Sequence, residues 1–263
     1  MYAFTYERPA TQADALQLAQ AGGKLLAGGQ TLLASMKLRL AAPEQIVDLG
    51  GIAALRGIRR EAGHLVIGAM TRHCDVAESA EVRADLPALA GLASGIGDKQ
   101  VRARGTIGGS VANNDPAADY PAALLALGAT VHTNARQIKA DDFFLGLFET
   151  ALEDGELITA VSFPIPKKAA YAKFVQPASR FALIGVFVAQ FDTGVRVAVT
   201  GSGNGVFRHA AFEKALSASF TPGTLAGIAT DADAMSSDLH GSAAYRAHLA
   251  GVMAQRAVAQ ALA

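Results

Sequence analysis

The sequence predicts an α+β protein made of three successive units. Three observations carry this prediction. Up to residue 166, short apolar runs with strand-like composition alternate with stretches of helical character. The segment Phe163-Pro-Ile-Pro-Lys-Lys168 then punctuates the chain with two prolines, which sets a boundary there. Beyond it, two apolar runs at 182–191 and 195–200 flank Asp192-Thr-Gly194, a hairpin signal that predicts a small antiparallel sheet. The expected units are residues 1–57, 58–166 and 167–263.

The first unit reads as βαββ. Residues 2–6 form a short strand, and Thr11 with Asp14 three positions on makes a capping box for a helix that ends near Gly22-Gly23. Residues 24–27 are a strand running into a glycine loop. A short helix or turn carries Leu32, Leu33 and Met36, and 46–49 is the next strand. In the second unit, 65–67 is a strand, Thr71 caps a helix through Glu78, and Pro87 opens a helix through Ser94. A second glycine loop follows, then a helix starting near Pro121 and stopped by Gly128, with strands at 129–133 and 157–163. The third unit has strands at 171–175, 182–191 and 195–200 and helices at 210–217 and 242–261.

The bulk numbers narrow the function classes. With 51% hydrophobic and 17% charged residues the chain folds around a sizeable core. Its 23 basic and 23 acidic residues cancel, so nothing calls for nucleic acid or an anionic membrane. The longest apolar runs, such as 121–129, are too short to span a bilayer, and the start of the chain lacks a basic region followed by an apolar one. A cytoplasmic protein is expected. Cys74 is the only cysteine, which excludes an intrachain disulfide, a structural zinc site and an all-cysteine iron–sulfur cluster. Its simplest role is that of a small apolar side chain. The six histidines show no metal-ligand spacing with carboxylates, so a metal redox centre belongs to another chain. No nucleophile has an evident base beside it.

Two glycine loops about eighty residues apart are the chemical core of the sequence. In Ala27-Gly28-Gly29-Gln30-Thr31 the glycines permit positive φ and close approach, letting successive N–H groups converge on a phosphate, and Thr31 adds a hydroxyl. By itself this pattern is more often an ordinary strand-to-helix turn. Thr106-Ile107-Gly108-Gly109-Ser110 repeats the chemistry, and Asn113, Asn114 and Asp115 follow, able to meet sugar hydroxyls or the loop's own backbone. Together the loops point to a dinucleotide gripped from two sides, although neither matches the Rossmann or P-loop spacing. Gly201-Ser-Gly203-Asn-Gly205 has Val206 where a dinucleotide fingerprint needs glycine, and reads as a wide turn. Asp119, before Tyr120-Pro121, is either a helix cap or a ligand contact. Lys173 is either an exposed strand lysine or a charge held over a ligand. Arg102 and Arg104 read as a solvated strand face, with phosphate or a partner as the alternative.

These residues resemble the FAD-binding medium subunit of the molybdenum hydroxylases, the xanthine dehydrogenase and aerobic carbon monoxide dehydrogenase group. The likeness spans nearly the whole chain. It is carried by Ala27-Gly-Gly-Gln-Thr-Leu-Leu33 with Met36-Lys-Leu-Arg39, by Gly97-Asp-Lys-Gln-Val-Arg-Ala-Arg-Gly-Thr-Ile-Gly-Gly-Ser110, and by Asp115-Pro-Ala-Ala-Asp-Tyr-Pro121. It implies a vanillyl-alcohol-oxidase-type (PCMH-like) fold, in which two subdomains hold an extended FAD and a C-terminal α+β domain covers the flavin side. Residues 27–31 and 106–110 would bind the diphosphate and ribityl region, Ile96 and Gly97 would lie near the flavin, and Asp119, Ile158 and Lys173 would be further FAD contacts. Around Lys173 the chain departs from many relatives, reading Lys173-Phe-Val-Gln-Pro-Ala-Ser-Arg-Phe-Ala182 without an arginine-rich stretch or paired acids.

The resemblance further implies an electron-transfer role, most like that of the carbon monoxide dehydrogenase branch. A large partner subunit would carry a molybdenum cofactor and a small one two [2Fe–2S] clusters, in a dimer of heterotrimers. This chain would take electrons onto FAD and pass them to an external acceptor, with no catalytic residue and no metal of its own. A free-standing flavin oxidoreductase of the same fold, acting directly on its substrate, is the alternative.

Overall fold

A computed structural model describes all residues from 1 to 263. The first unit contains β1 (Thr5–Glu7), α1 (Gln12–Gln20), β2 (Lys24–Leu26), α2 (Leu32–Lys37) and β3 (Gln45–Asp48). Its strands form a parallel sheet in the order β1-β3-β2. The capping box at the start of α1 is present: the Asp14 N–H donates to Thr11 Oγ1 at 3.2 Å, and the Thr11 hydroxyl donates to the Asp14 carboxylate at 2.6 Å. Val47, Leu49 and Ile52 bury the sheet against Ala15 of α1.

The second unit contains β4 (Ile58–Glu61), β5 (His64–Gly68), α3 (His73–Glu78), α4 (Ala80–Asp85), α5 (Pro87–Ser94), α6 (Lys99–Arg104), α7 (Ile107–Asn113), α8 (Tyr120–Leu127), β6 (Thr130–Thr133), β7 (Gln137–Lys139), α9 (Ala140–Phe143), β8 (Phe144–Gly146), β9 (Glu149–Thr150) and β10 (Ile158–Pro164). Five strands make a sheet ordered β4-β5-β10-β6-β7, while β8 and β9 pair separately as a hairpin. Every residue of α8 is buried, so this helix forms the middle of the main core, and Gly128 ends it in the left-handed region at φ 62°.

The third unit contains β11 (Lys168–Val175), β12 (Ala182–Phe191), β13 (Gly194–Thr200), β14 (Phe207–Arg208), α10 (Ala210–Ala218) and α11 (Ala243–Leu262). Its four antiparallel strands run in sequence order. α11 lays Ala250, Met253, Ala254 and Ala257 on one face, and Phe187, Ala189 and Ala198 on the other face join the core of the second unit.

Several local expectations are corrected. Thr71 does not cap α3. Its hydroxyl bonds to Gly57 O at 3.1 Å and accepts the Gly57 N–H at 3.0 Å, and Arg72 occupies the cap position without a side-chain bond. The segment with Arg102 and Arg104 is helical rather than a strand face, capped by Asp98, which accepts the Val101 N–H at 2.8 Å. The turn at Gly201-Ser-Gly203-Asn-Gly205 is structural as expected, with positive φ at all three glycines.

Candidate functional site

The two glycine loops meet. A Cβ at Gly28 would overlap Arg104 O and lie 2.7 Å from the Gly105 Cα, so only glycine lets the first loop press on the backbone leading into the second. A Cβ at Gly109 would lie 3.2 Å from the Ala27 Cβ, which closes the contact from the other side. Gly29 takes φ 76°, and the N–H groups of Gly28, Gly29, Gln30 and Thr31 donate to no acceptor within the protein. Four consecutive free N–H groups around a left-handed residue are the donors an anion-binding nest requires. The Gln30 side chain donates to Gly28 O at 3.3 Å, which steadies the bend, and Thr31 is exposed at its rim.

The second loop works differently. Ile107 N–H donates to Thr71 O at 3.1 Å and Gly108 N–H to Ala69 O at 2.8 Å, while Thr106 Oγ1 accepts the Gly109 N–H at 3.2 Å. These donors are already occupied. Gly108 is a packing glycine, since a Cβ there would lie 2.5 Å from the Ala69 Cβ. The loop therefore supplies a smooth wall at Gly109, with half-buried Ser110 beside it, facing the nest of the first loop.

A second group of residues lies one helix away. α6 spans about 9 Å at 1.5 Å per residue. From its last turn the Arg102 guanidinium reaches back to donate to Ile96 O and Gly97 O, both at 2.9 Å, which fixes the bend at Gly97 (φ 49°). Lys173 Nζ donates to the adjacent Gly95 O at 2.9 Å and to Arg180 O at 3.1 Å, and lies 3.0 Å from the Asp119 carboxylate. Tyr171 donates its hydroxyl to the same carboxylate at 2.5 Å. Side-chain exposure is 7% for Lys173 and 3% for Asp119. Burial pushes the Asp119 carboxyl up, and Lys173 and the Tyr171 hydrogen bond draw it back.

Of the two readings of Asp119, helix capping is excluded, because its side chain makes no cap bond. The reading of Lys173 as an exposed lysine also fails. Asn114 reaches the β8–β9 hairpin, and only Asp115 turns to its own loop. Asn114 donates to Gly146 O and Glu149 O at 2.8 Å, and Asp115 accepts the Ala117 N–H at 2.8 Å. Ile158 sits in the main core at 4% exposure and is brought to neither group. Cys74 is half-buried with its thiol on Asp75 Oδ1, and no cluster of His, Cys, Asp or Glu can hold a metal.

One participant is invisible in the sequence. His73 is 4% exposed beneath the second loop. Its N–H donates to Gly105 O at 2.9 Å, and a Cβ on Gly105 would lie 2.5 Å from its Nε2. Burial, followed by the charge of Arg102, lowers its pKa from 6.5 to about 4. As pH falls, the unfolded chain takes up this proton first. Its contribution to stability is thus whole above pH 6.5 and is lost as pH drops from there through about 4. The expected loss approaches ~3 kcal/mol at the acid end. A thermal melting series across that window should show a falling midpoint in the native chain, and His73→Gln should flatten the slope.

A concavity of about 410 Å³ lined by Thr193, Arg196, Arg208 and Lys214 contains no residue of either loop.

Comparison with known proteins identifies the family. The sequence pattern described as the FAD binding domain in molybdopterin dehydrogenase matches residues 2–166, which include both glycine loops. The chain belongs to this family of FAD-binding subunits. It is 37% identical to the carbon monoxide dehydrogenase medium chain of Hydrogenophaga pseudoflava, covering 97% of this chain and 96% of that one. It is 34% identical to the nicotine 6-hydroxylase medium subunit of Paenarthrobacter nicotinovorans over 98% of its own length and 97% of the relative's. Among solved structures, carbon monoxide dehydrogenase from Hydrogenophaga pseudoflava superposes with a TM-score of 0.88 at 37% identity, covering 99% of this chain and 98% of that one. Quinoline 2-oxidoreductase from Pseudomonas putida 86 gives 0.89 at 28% identity, covering 99% and 97%. The α+β expectation and the family resemblance both hold. For an FAD-binding subunit of this family the loops fit its cofactor: free N–H groups at 28–31 suit a diphosphate, and glycines at 28 and 109 let the two loops close on each other.

Proposed function

We propose that this chain is the flavin-carrying electron relay of a multi-subunit molybdenum hydroxylase, most like the medium chain of carbon monoxide dehydrogenase. The observation that carries the reading is the contact of Gly28 with Arg104–Gly105, which brings a run of four N–H groups without an internal acceptor up against the second loop. On this reading residues 27–31 hold the diphosphate, Thr106 to Ser110 border it, and Ile96, Gly97, Asp119 and Lys173 line the flavin. Ile158, buried in the main core, would be a further contact only if the cofactor reached that core. FAD supplies a carrier that takes electrons singly or in pairs.

The protein's part is to bind, orient and set the electrostatic surroundings. The Asp119–Lys173 pair is compact and net neutral, and keeps the wall free of an uncompensated charge. With one cysteine the chain has no cluster ligands, so [2Fe–2S] clusters and the molybdenum cofactor belong to partner subunits, and an external acceptor takes the electrons away. Boundaries at 57 and 166 separate two FAD-binding subdomains from the C-terminal domain. No helix is long and apolar enough to cross a membrane.

The test is made on the assembled complex stripped of flavin. Metal centres should still be reduced by substrate while turnover with a dye acceptor is lost, and adding FAD should restore it. Full dye turnover without flavin, or a chain that stays colourless after incubation with FAD, would overturn the assignment.

A further inference from the structure

The Asp119 carboxylate is held by Tyr171 as well as by Lys173. Tyr171 and Lys173 are two apart on β11 and reach the same carboxylate. The Tyr171 ring lies on Phe187 with centroids 6.0 Å apart, inside the core. Its hydroxyl rests directly on the backbone of Gly185, the residue paired with Lys173 across the β11–β12 ladder. A Cβ at Gly185 would overlap that hydroxyl and lie 2.8 Å from Cζ. Only glycine at 185 therefore leaves the phenol room to reach Asp119. The charged and titratable groups facing this carboxylate are Lys173 and Tyr171 from β11 and the neighbouring Tyr120 at the start of α8. Gly95 O and Arg180 O take the remaining Lys173 donors.

We propose that Tyr171 is a positioning residue for the flavin site: its hydroxyl, seated over Gly185, keeps Asp119 ionised and aimed at Lys173, so that the ammonium beside Gly95–Gly97 stays neutralised. Tyr171 touches the site only through Asp119. Removing its hydroxyl takes one hydrogen bond from a carboxylate with almost no access to water. The carboxyl then holds its proton to higher pH, by about one unit or more. Wherever Asp119 is protonated, Lys173 presents an unbalanced positive charge to the wall. This step rests on the flavin assignment, whereas the titration of Asp119 does not.

The test uses the full chain in two measurements. The Asp119 carboxyl is titrated by carbon-13 NMR in the native protein, in Tyr171→Phe and in Gly185→Ala. The glycine variant displaces the phenol without deleting a polar atom. Both variants should titrate about one unit or more above the native protein. In the flavin-loaded chain, the midpoint potential of both should rise relative to native as pH falls through the new titration, and Tyr171→Phe combined with Asp119→Asn should lack that inflection. Unchanged Asp119 titration in both variants overturns the inference whatever the flavin does. A shifted titration in a chain that takes up no FAD upholds the role of Tyr171 toward Asp119 and removes the flavin assignment instead.

Discussion

Gly28→Ala is expected to weaken FAD retention while leaving the chain folded. The added methyl would overlap Arg104 O, a backbone atom that cannot swing aside as a side chain does. Relief requires the first loop to back away from the second, which opens the groove and turns the N–H groups of residues 28–31 off their common target. Losing part of an anion nest should weaken binding about tenfold or more, roughly 1.4 kcal/mol for each factor of ten. Flavin absorbance per chain after gel filtration, with a circular dichroism melt as the folding control, reads this out. Full flavin occupancy in a normally melting variant would count against the nest. The same substitution at Gly29, where φ is 76°, would act through backbone strain.

Lys173→Met should be the most destabilising exchange at the site. It deletes one member of a buried pair and leaves Asp119 with only Tyr171 as a polar partner. Breaking such a pair costs about 3–5 kcal/mol. The pH dependence identifies the cause. Without the ammonium, Asp119 keeps its proton in the folded chain well above the unfolded value of 3.8. The folded variant thus binds more protons than the unfolded one over that interval, and its deficit shrinks as pH falls. Urea unfolding of variant and native chains at pH 7 and pH 5 should show a smaller difference at the lower pH. A pH-independent difference would mean that packing of the lysine stem matters more than its charge.

The sequence made the skeleton of this protein readable where local chemistry decides local structure. Thr11 with Asp14, Pro87 at the start of its helix, Gly128 at the end of another and Asp192-Thr-Gly194 between two apolar runs each act within a few residues, and each appears as expected. Local chemistry failed where a distant partner took over a side chain. Thr71 bonds to Gly57 rather than to its own helix, and of the two readings open for Asp119 the cap fell away because it turns to a strand more than fifty residues later. The same limit applies to the groove. Glycine pairs signal the two loops, but the division of labour between them was hidden, because the second loop's donors are taken by Ala69 and Thr71. His73 and Tyr171 carry no motif at all. They matter through burial against Gly105 and Gly185, which becomes visible only when the glycines meet their neighbours in space.

The family pattern stops at residue 166, yet the core does not. Phe187, Ala189 and Ala198 come from the C-terminal sheet and are packed among the side chains of the central unit, while Arg196 reaches across to Leu125 O and Asp141. The last third of the chain is therefore a keystone rather than an appendage. A graft that exchanged it for the corresponding part of a relative would have to bring matching contours for those three side chains, or the flavin-holding half would lose a wall of its own interior.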